Sequence, residues 1–308
     1  MKLVVLGAGG GLGRNAIDAA LAAGHEVRAF VRDPAKLALP GAVTVLTGDA
    51  RRADDVGRAL AGTDAALFCV NPPITAWLTE FPPLIAAAIE GARRSGARLV
   101  FPANVWIYGR GRPGELVAEQ QPPAPISQRG RLRAELEAAI RGAGIRYAMV
   151  RLPEFYGPHV VTLTPRVIRA ALEGTRARWP GPLDVPIELV YMPDAARALV
   201  TVAARDEDDV VHLPGVRTTA RALIAAAFAA VGRPPRASGT PPWLLSIAGL
   251  FDASIRAAAD ISHLWTHPIL LDGSRYQARY GPPPITPLDT AMATTVAWHR
   301  TTPQLRLH

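Results

Sequence analysis

The sequence predicts an α/β fold: a doubly wound parallel sheet joined to a smaller, mixed C-terminal lobe. Three features carry that prediction. Short aliphatic runs alternate with helical patterns as far as residue 155, the pattern of a parallel sheet with crossover helices. The first run, Leu3-Val4-Val5-Leu6, meets Gly7 at once, and Ala16, Ile17, Ala20 and Leu21 then follow at helical spacing. Beyond Tyr156 the composition changes, and short strands mix with alanine-rich helices.

The join between the first strand and the first helix is the most informative stretch. Gly7, Gly10 and Gly13 stand three apart in Gly7-Ala8-Gly9-Gly10-Gly11-Leu12-Gly13, followed by Arg14. Without side chains the backbone can approach a pyrophosphate, and the helix start offers unpaired N–H groups and a positive dipole end. A glycine-rich turn in an alanine-rich chain is the plainer reading, but the position after a strand and before a helix favours a dinucleotide. Gly7, Gly9, Gly10, Gly11, Leu12, Gly13 and Arg14 are the expected cofactor contacts. The spacing Gly-x-x-Gly-x-x-Gly resembles the extended and atypical branches of the short-chain dehydrogenase/reductase superfamily, the NAD-dependent epimerase/dehydratase-like proteins. That resemblance implies a Rossmann sheet that binds NAD(P).

A chain of 308 residues can hold one large domain, or one of middling size and a small one. The division expected is a nucleotide-binding domain over 1–155, with further contributions from about 185–205, and a mainly substrate-binding lobe over 156–308. Cys69 is the only cysteine, so no internal disulfide forms. No basic, apolar leader precedes the first strand, and a cytoplasmic location is expected. Trp243 to Ile261 is the most apolar long stretch, but Asp252, Arg256 and Asp260 interrupt it, so no membrane partner is expected. The formal charge is +8, nearly all from arginines spread end to end. Arg129, Arg131 and Arg133 cluster beside Glu135 and Glu137, which reads as a solvated, ion-paired face and not as a nucleic-acid stripe. No metal-ligand cluster is present.

The second strand, Glu26 to Val31, ends at Arg32-Asp33-Pro34-Ala35-Lys36. Residues here face the adenosine ribose in this fold; an acid favours NAD and an arginine suits a 2′-phosphate. Arg32, Lys36 and Arg14 therefore favour NADP(H) over NAD(H), unless they are ordinary surface cations flanking a turn. Val43 to Leu46 is the third strand. The Gly48-Asp49 that follows resembles the family's adenine-contacting aspartate, with Ala50 beside it; Asp49 can equally cap the next helix. Ala65 to Val70 is the fourth strand. Val70, Asn71 and Pro72 follow the path that the family takes past the nicotinamide ribose, and Pro82 to Arg94 reads as a helix.

From Arg98 the chain reads Leu99-Val100-Phe101-Pro102-Ala103-Asn104-Val105-Trp106-Ile107-Tyr108-Gly109. This resembles the fifth strand of the family, which ends in a Ser/Thr pair and Val-Tyr-Gly. Asn104 stands at the carbonyl-binding serine and keeps an amide donor. The resemblance also implies Tyr-x-x-x-Lys on the next helix. Registered on Glu135, those positions hold Ser127 and Arg131, so the standard proton relay is absent. Ile145 to Val150 is the sixth strand. Pro153 follows among the expected cofactor contacts, within Arg151-Leu152-Pro153-Glu154-Phe155-Tyr156-Gly157-Pro158. Glu154 is a candidate general acid or base if burial raises its pKa, or else the partner of an arginine. Asn104, Tyr108, Ser127, Arg131 and Glu154 are the candidate catalytic residues, with Tyr108 expected to be held by packing. His159 reads as a loop residue.

In the second lobe, helices are expected over Leu163 to Gly174, from Asp194 through Val202 and over Thr218 to Val231, with strands at Ile187 to Tyr191 and Val210 to Leu213. Trp243, Leu244, Ile247, Leu250 and Phe251 line one face of a helix. That stripe could be core, could close over an apolar substrate, or could pair two subunits as a homodimer. Two more helices follow, at Ser274 to Tyr280 and Pro287 to His299. Together these features point to an NADP(H)-dependent reductase of a small carbonyl or conjugated carbonyl compound with a non-standard proton donor. Two alternatives stay open: an NADP(H)-binding sensor of the NmrA-like kind, and a non-redox isomerase or cyclase.

Overall fold

The inner strands of the first half bury alternate residues on opposite faces, and that alternation builds the layers. In the computed structural model, which describes residues 1–36, 39–206 and 208–302, Leu3 and Val5 enter one core while Val4 and Leu6 enter another. Among the described residues seven parallel strands form the central sheet: β1 (Lys2–Leu6), β2 (Glu26–Val31), β3 (Thr44–Thr47), β4 (Ala65–Phe68), β5 (Arg98–Asn104), β6 (Tyr147–Leu152) and β7 (Asp209–His212). Their order is β7-β6-β5-β4-β1-β2-β3. Chain direction across the sheet reverses between β1 and β4, which is where an open α/β sheet places its ligand.

Helices α1 (Gly11–Ala22), α2 (Ala53–Leu60), α3 (Trp77–Ser95), α4 (Gln128–Arg141), α5 (Thr164–Glu173), α6 (Met192–Ala203) and α7 (Ala220–Ala229) follow in chain order. α1 and α6 cover the face that carries Leu3 and Val5, through Ile17 and Leu199. The other face is covered by α2, α3 and α4, through Val56, Leu84 and Leu136. α3 begins at Trp77, five residues before the expected start at Pro82, and carries Pro82 and Pro83 inside it. Burial of Trp77 and Phe81 against Trp106 outweighs the two lost backbone donors.

β7 lies beyond the 185–205 contribution expected, so the sheet draws residues from Lys2 to His212. Strands Glu154–Tyr156, Pro186–Tyr191 and Val216–Thr219 make a second sheet, and Ala177–Trp179 pairs with Ala237–Gly239. The residues Val216–Thr219, expected in part as helix, form a strand whose last residue, Thr219, caps α7. α8 (Pro242–Ala248) and α9 (Ala253–Asp260) form a hairpin, with α10 (His263–Thr266), α11 (Ser274–Tyr280) and α12 (Leu288–Thr301) after it. The Trp243 stripe is not core: Trp243, Leu244, Ile247, Leu250 and Phe251 are all exposed. Leu245 and Ala258 turn inward instead.

Three buried carboxylates fasten the tail. Glu188 accepts from the backbone N–H of Gly215 and of Leu271. Asp209 binds Arg275 and Arg279. Asp194 accepts from the N–H and hydroxyl of Thr286, so its task is wider than stabilising the start of α6.

Candidate dinucleotide and active site

Gly7 turns the chain at the end of β1 with φ +84°, and a Cβ there would lie 2.7 Å from Val70 N. Gly13 lets α1 close on the strand, since its Cβ would stand 2.4 Å from Gly7 O. Gly10 precedes the helix as its N-cap with no capping side chain, and Arg14 N donates to its carbonyl at 3.0 Å. The first-turn N–H groups are thus left for a ligand. Gly9 and Gly10 are exposed, and a Cβ at Gly9 would meet nothing within 4 Å. This open backbone cradle fits a dinucleotide pyrophosphate. Leu12 and Arg14 are half-buried beside it, with Arg14 Nε on Gly9 O at 3.2 Å. His159 does more than fill a loop: it adopts φ +64° and brings its carbonyl against Gly11, while its ring packs on Trp298 at 4.5 Å.

At the ends of β2 and β3, Arg32 is exposed and Asp49 half-buried. Asp49 does not cap α2. Its carboxylate is gripped by Arg51 at 2.8 Å, and its own N–H donates to Asp55. Bonds from Arg51, then the charge of Arg32, hold the Asp49 carboxyl below its ordinary range. Arg51 was not singled out by the sequence reading, although its place two residues after Asp49 could have marked it. Ala50 lies next to this pair, half-buried. Lys36 ends a short 3-10 turn, and its side chain lies outside the described residues.

Past β4, Val70 is half-buried, Asn71 is exposed and the Pro72 carbonyl accepts from Trp77 Nε1 at 3.0 Å. Asn104, at the end of β5, lies opposite Leu152 in the register, so Pro153 and Glu154 emerge beside it. Asn104 Oδ1 accepts from Trp106 N, which leaves its amide N–H groups to donate. Pro153 is buried and Glu154 half-buried. Glu154 has no salt bridge among the described residues, contrary to the arginine-pairing alternative. Desolvation raises its pKa, against a hydrogen bond from Thr162.

The other candidates take structural places. Ser127 is the N-cap of α4, buried, with its hydroxyl accepting from Gly130 N at 2.9 Å. Arg131 is exposed and reaches the Ile126 carbonyl. Tyr108 is buried against His212 and Arg151, away from solvent, and burial pushes its phenol up to about 12.

The inward face of α4 instead carries Arg129 and Arg133, two residues out of register with the expected pair. Arg129 Nε donates to Ile74 O, and its Nη1 meets Asp260 at 3.1 Å. Arg133 lies over the rings of Phe101, Phe81 and Trp77. Burial brings its pKa down to about 10. The arginine cluster is therefore only partly the solvated face expected. A cleft of about 610 Å³ opens beside Tyr108, with Arg110, Arg112, Gln121 and Ile126 on its walls. No metal-binding cluster occurs among the described residues, and no helix among them is long and apolar enough to cross a membrane.

Sheet order, glycine cradle and the loops after β2 and β4 define a dinucleotide-binding protein of the Rossmann class. The family model for NAD(P)H-binding proteins matches residues 7–168, more than half of the chain. The chain belongs to that family. Solved structures with the same fold include dTDP-glucose 4,6-dehydratase from Bacillus anthracis with NAD, at 14% identity and a TM-score of 0.81, covering 99% of this chain and 98% of that one. UDP-glucose 4-epimerase from Thermotoga maritima with UDP-glucose matches at 17% identity and 0.79, over 99% and 100% of the two chains. The Thermus thermophilus UDP-glucose 4-epimerase complex with NAD gives 19% and 0.76, over 97% and 99%. At such identities the likeness is one of fold.

Proposed function

We propose that this protein is an NADP(H)-dependent enzyme that passes hydride to a small carbonyl or conjugated carbonyl compound, with Glu154 managing the proton. The observation that carries this reading is the Glu154 carboxyl. It follows β6 by two residues, Leu152 being the register partner of Asn104, with no salt bridge among the described residues and with its pKa raised by desolvation. A carboxyl so placed can hold a proton nearer neutrality and release it to an alkoxide or enolate. Asn104 would orient the substrate oxygen through its amide. The nicotinamide, when bound, supplies the hydride, while this chain's residues orient the substrate and exclude water. Arg32, with Arg51 on Asp49, supports NADP(H) over NAD(H).

The solved structures of the same fold include enzymes of sugar nucleotides, and a nucleotide sugar is a further substrate class to screen. A second reading, an NADP(H) sensor without turnover, is favoured by the structural roles of Ser127, Arg131 and Tyr108. The test is a carbonyl panel followed by loss of nicotinamide absorbance, with Glu154→Gln as the variant. We expect turnover to fall about 10²- to 10⁴-fold at unchanged NADPH affinity. Full activity in Glu154→Gln would remove the carboxyl assignment. No turnover on any compound, with tight and redox-selective NADPH binding, would favour the sensor.

A further inference from the structure

The α8–α9 hairpin exposes apolar side chains where a folded surface normally hides them. Trp243 is 61% exposed, Ile247 52%, Leu250 69% and Phe251 87%. Leu250 and Phe251 form the turn between the helices, so the most exposed pair stands at a protruding tip. The hairpin is anchored from behind: Leu245 and Ala258 pack on the core, and Arg256 clamps the Gly249 and Leu250 carbonyls. Its apolar face is therefore held outward by the fold.

Arginines lie beside the start of α8. Strands Ala177–Trp179 and Ala237–Gly239 pair with Arg178 opposite Ser238, and Thr240 N donates to Trp179 O at 2.7 Å, which sets the start of α8 beside Arg178. Arg176, Arg178 and Arg236 are exposed and have no salt-bridge partner among the described residues. Arg233 is exposed too, with Nη1 on the Ala171 and Leu172 carbonyls. The hairpin's own acids are engaged: Asp252 accepts from the N–H groups of Ser254 and Ile255, and Asp260 pairs with Arg129.

We propose that this hairpin docks the protein on the surface of an anionic bilayer. Leu250, Phe251 and Trp243 enter the headgroup–acyl boundary, and the arginines meet lipid phosphates. An apolar face carrying tryptophan, bordered by cations, is the composition of an element that lies in the interface plane without crossing. Two-fold pairing with a second copy through the same patch would set this arginine group against its own counterpart. An anionic surface satisfies the apolar tip and the cations together. Attachment of this kind needs no spanning segment.

The experiment is co-sedimentation of the full-length protein with vesicles of phosphatidylcholine alone and of phosphatidylcholine mixed with phosphatidylglycerol. The protein is expected to pellet with the mixed vesicles, and more weakly with neutral ones or at high salt. Leu250→Asp/Phe251→Asp is expected to lower partitioning at least about tenfold, with NADPH binding and circular dichroism unchanged. Arg178→Glu/Arg236→Glu is expected to remove the preference for anionic lipid. Three results would overturn the proposal: no pelleting of the parent protein, equal pelleting of the tip variant, or a tip variant that turns a dimer into a monomer without any vesicle binding. A raised KM in the tip variant without vesicle binding would assign the face to substrate instead.

Discussion

The Tyr108 hydroxyl lies 2.6 Å from His212 Nε2, between a strand end and the last strand of the sheet. His212 Nδ1 is 3.0 Å from the Val117 carbonyl, so Nδ1 carries the ring proton and Nε2 accepts from the phenol. Arg151 donates to the same phenol oxygen and is held by Glu137 at 2.8 Å. Every polar atom of Tyr108 is thereby committed to the fold.

Burial, then Arg151, brings the His212 pKa down to about 3 from 6.5. Below pH 6.5 the unfolded chain gains a proton that the folded chain refuses, so stability from this group is present above 6.5 and lost as pH falls toward 3. His212→Asn is expected to be less stable at pH 8 by about 1–3 kcal/mol, through the lost acceptor for Tyr108. Its further loss between pH 6.5 and 5 is expected to be shallower than wild type by up to about 1.4 kcal/mol per pH unit. Urea titrations at three pH values check this; parallel pH dependences would mean that His212 is protonated in the fold.

Two glycines of one turn should separate binding from folding. A Cβ at Gly10 would come no nearer than 3.4 Å to the protein, whereas one at Gly13 would stand 2.4 Å from Gly7 O. Gly10→Val is expected to fold and lose nucleotide binding, because its side chain enters the pyrophosphate cradle. Gly13→Val is expected to lose several kcal/mol of stability through overpacking, about 1–3 or more. Thermal melts and NADPH titrations decide; a folded Gly10→Val with full affinity would displace the phosphate assignment.

Arg32→Asp is expected to weaken NADPH by at least about tenfold more than NADH, since one charge-assisted bond to the 2′-phosphate is lost and a repulsion added. Tryptophan fluorescence quenching by each cofactor measures both affinities. Equal losses would assign selectivity elsewhere, with Arg51 the next residue to replace.

Ser127→Ala is expected to cost about 1 kcal/mol of stability, the usual effect of removing an N-cap, and to leave turnover within about twofold. Arg131→Ala, on the exposed face, is expected to change neither. Loss of turnover in Ser127→Ala without loss of stability would restore a catalytic task to that hydroxyl.

What could be read in the sequence was local. Leu3 to Gly13 carry strand, turn and helix within one stretch, so β1, the cradle and α1 were all legible. Asn104 ends β5 and Glu154 starts a strand two residues past β6, places that a linear reading of strand boundaries reaches. Arg129 and Asp260 were not legible, because 131 residues separate them and only the folded chain brings them to 3.1 Å. On α4 the motif register points to Ser127 and Arg131, of which Ser127 is buried as the N-cap and Arg131 is exposed; the burial of Arg129 and Arg133 is not part of that motif. Periodicity found the Trp243 stripe but does not say which side of a helix meets the core. Burial requires Leu245 there, and the richer apolar face was left outside.

The buried carboxylates Glu188, Asp194 and Asp209 tie the two halves of the chain into one cooperative unit. Each has at least one partner between Gly215 and Thr286. A fragment ending near residue 205 would leave Glu188 without Arg217 and its two backbone donors, would strip Thr286 from Asp194, and would lack the edge strand that carries Asp209. Such a fragment contains the whole glycine cradle, yet limited proteolysis is not expected to release it as a stable core. The half of the chain that carries the glycine cradle is thus fastened by residues from the other half.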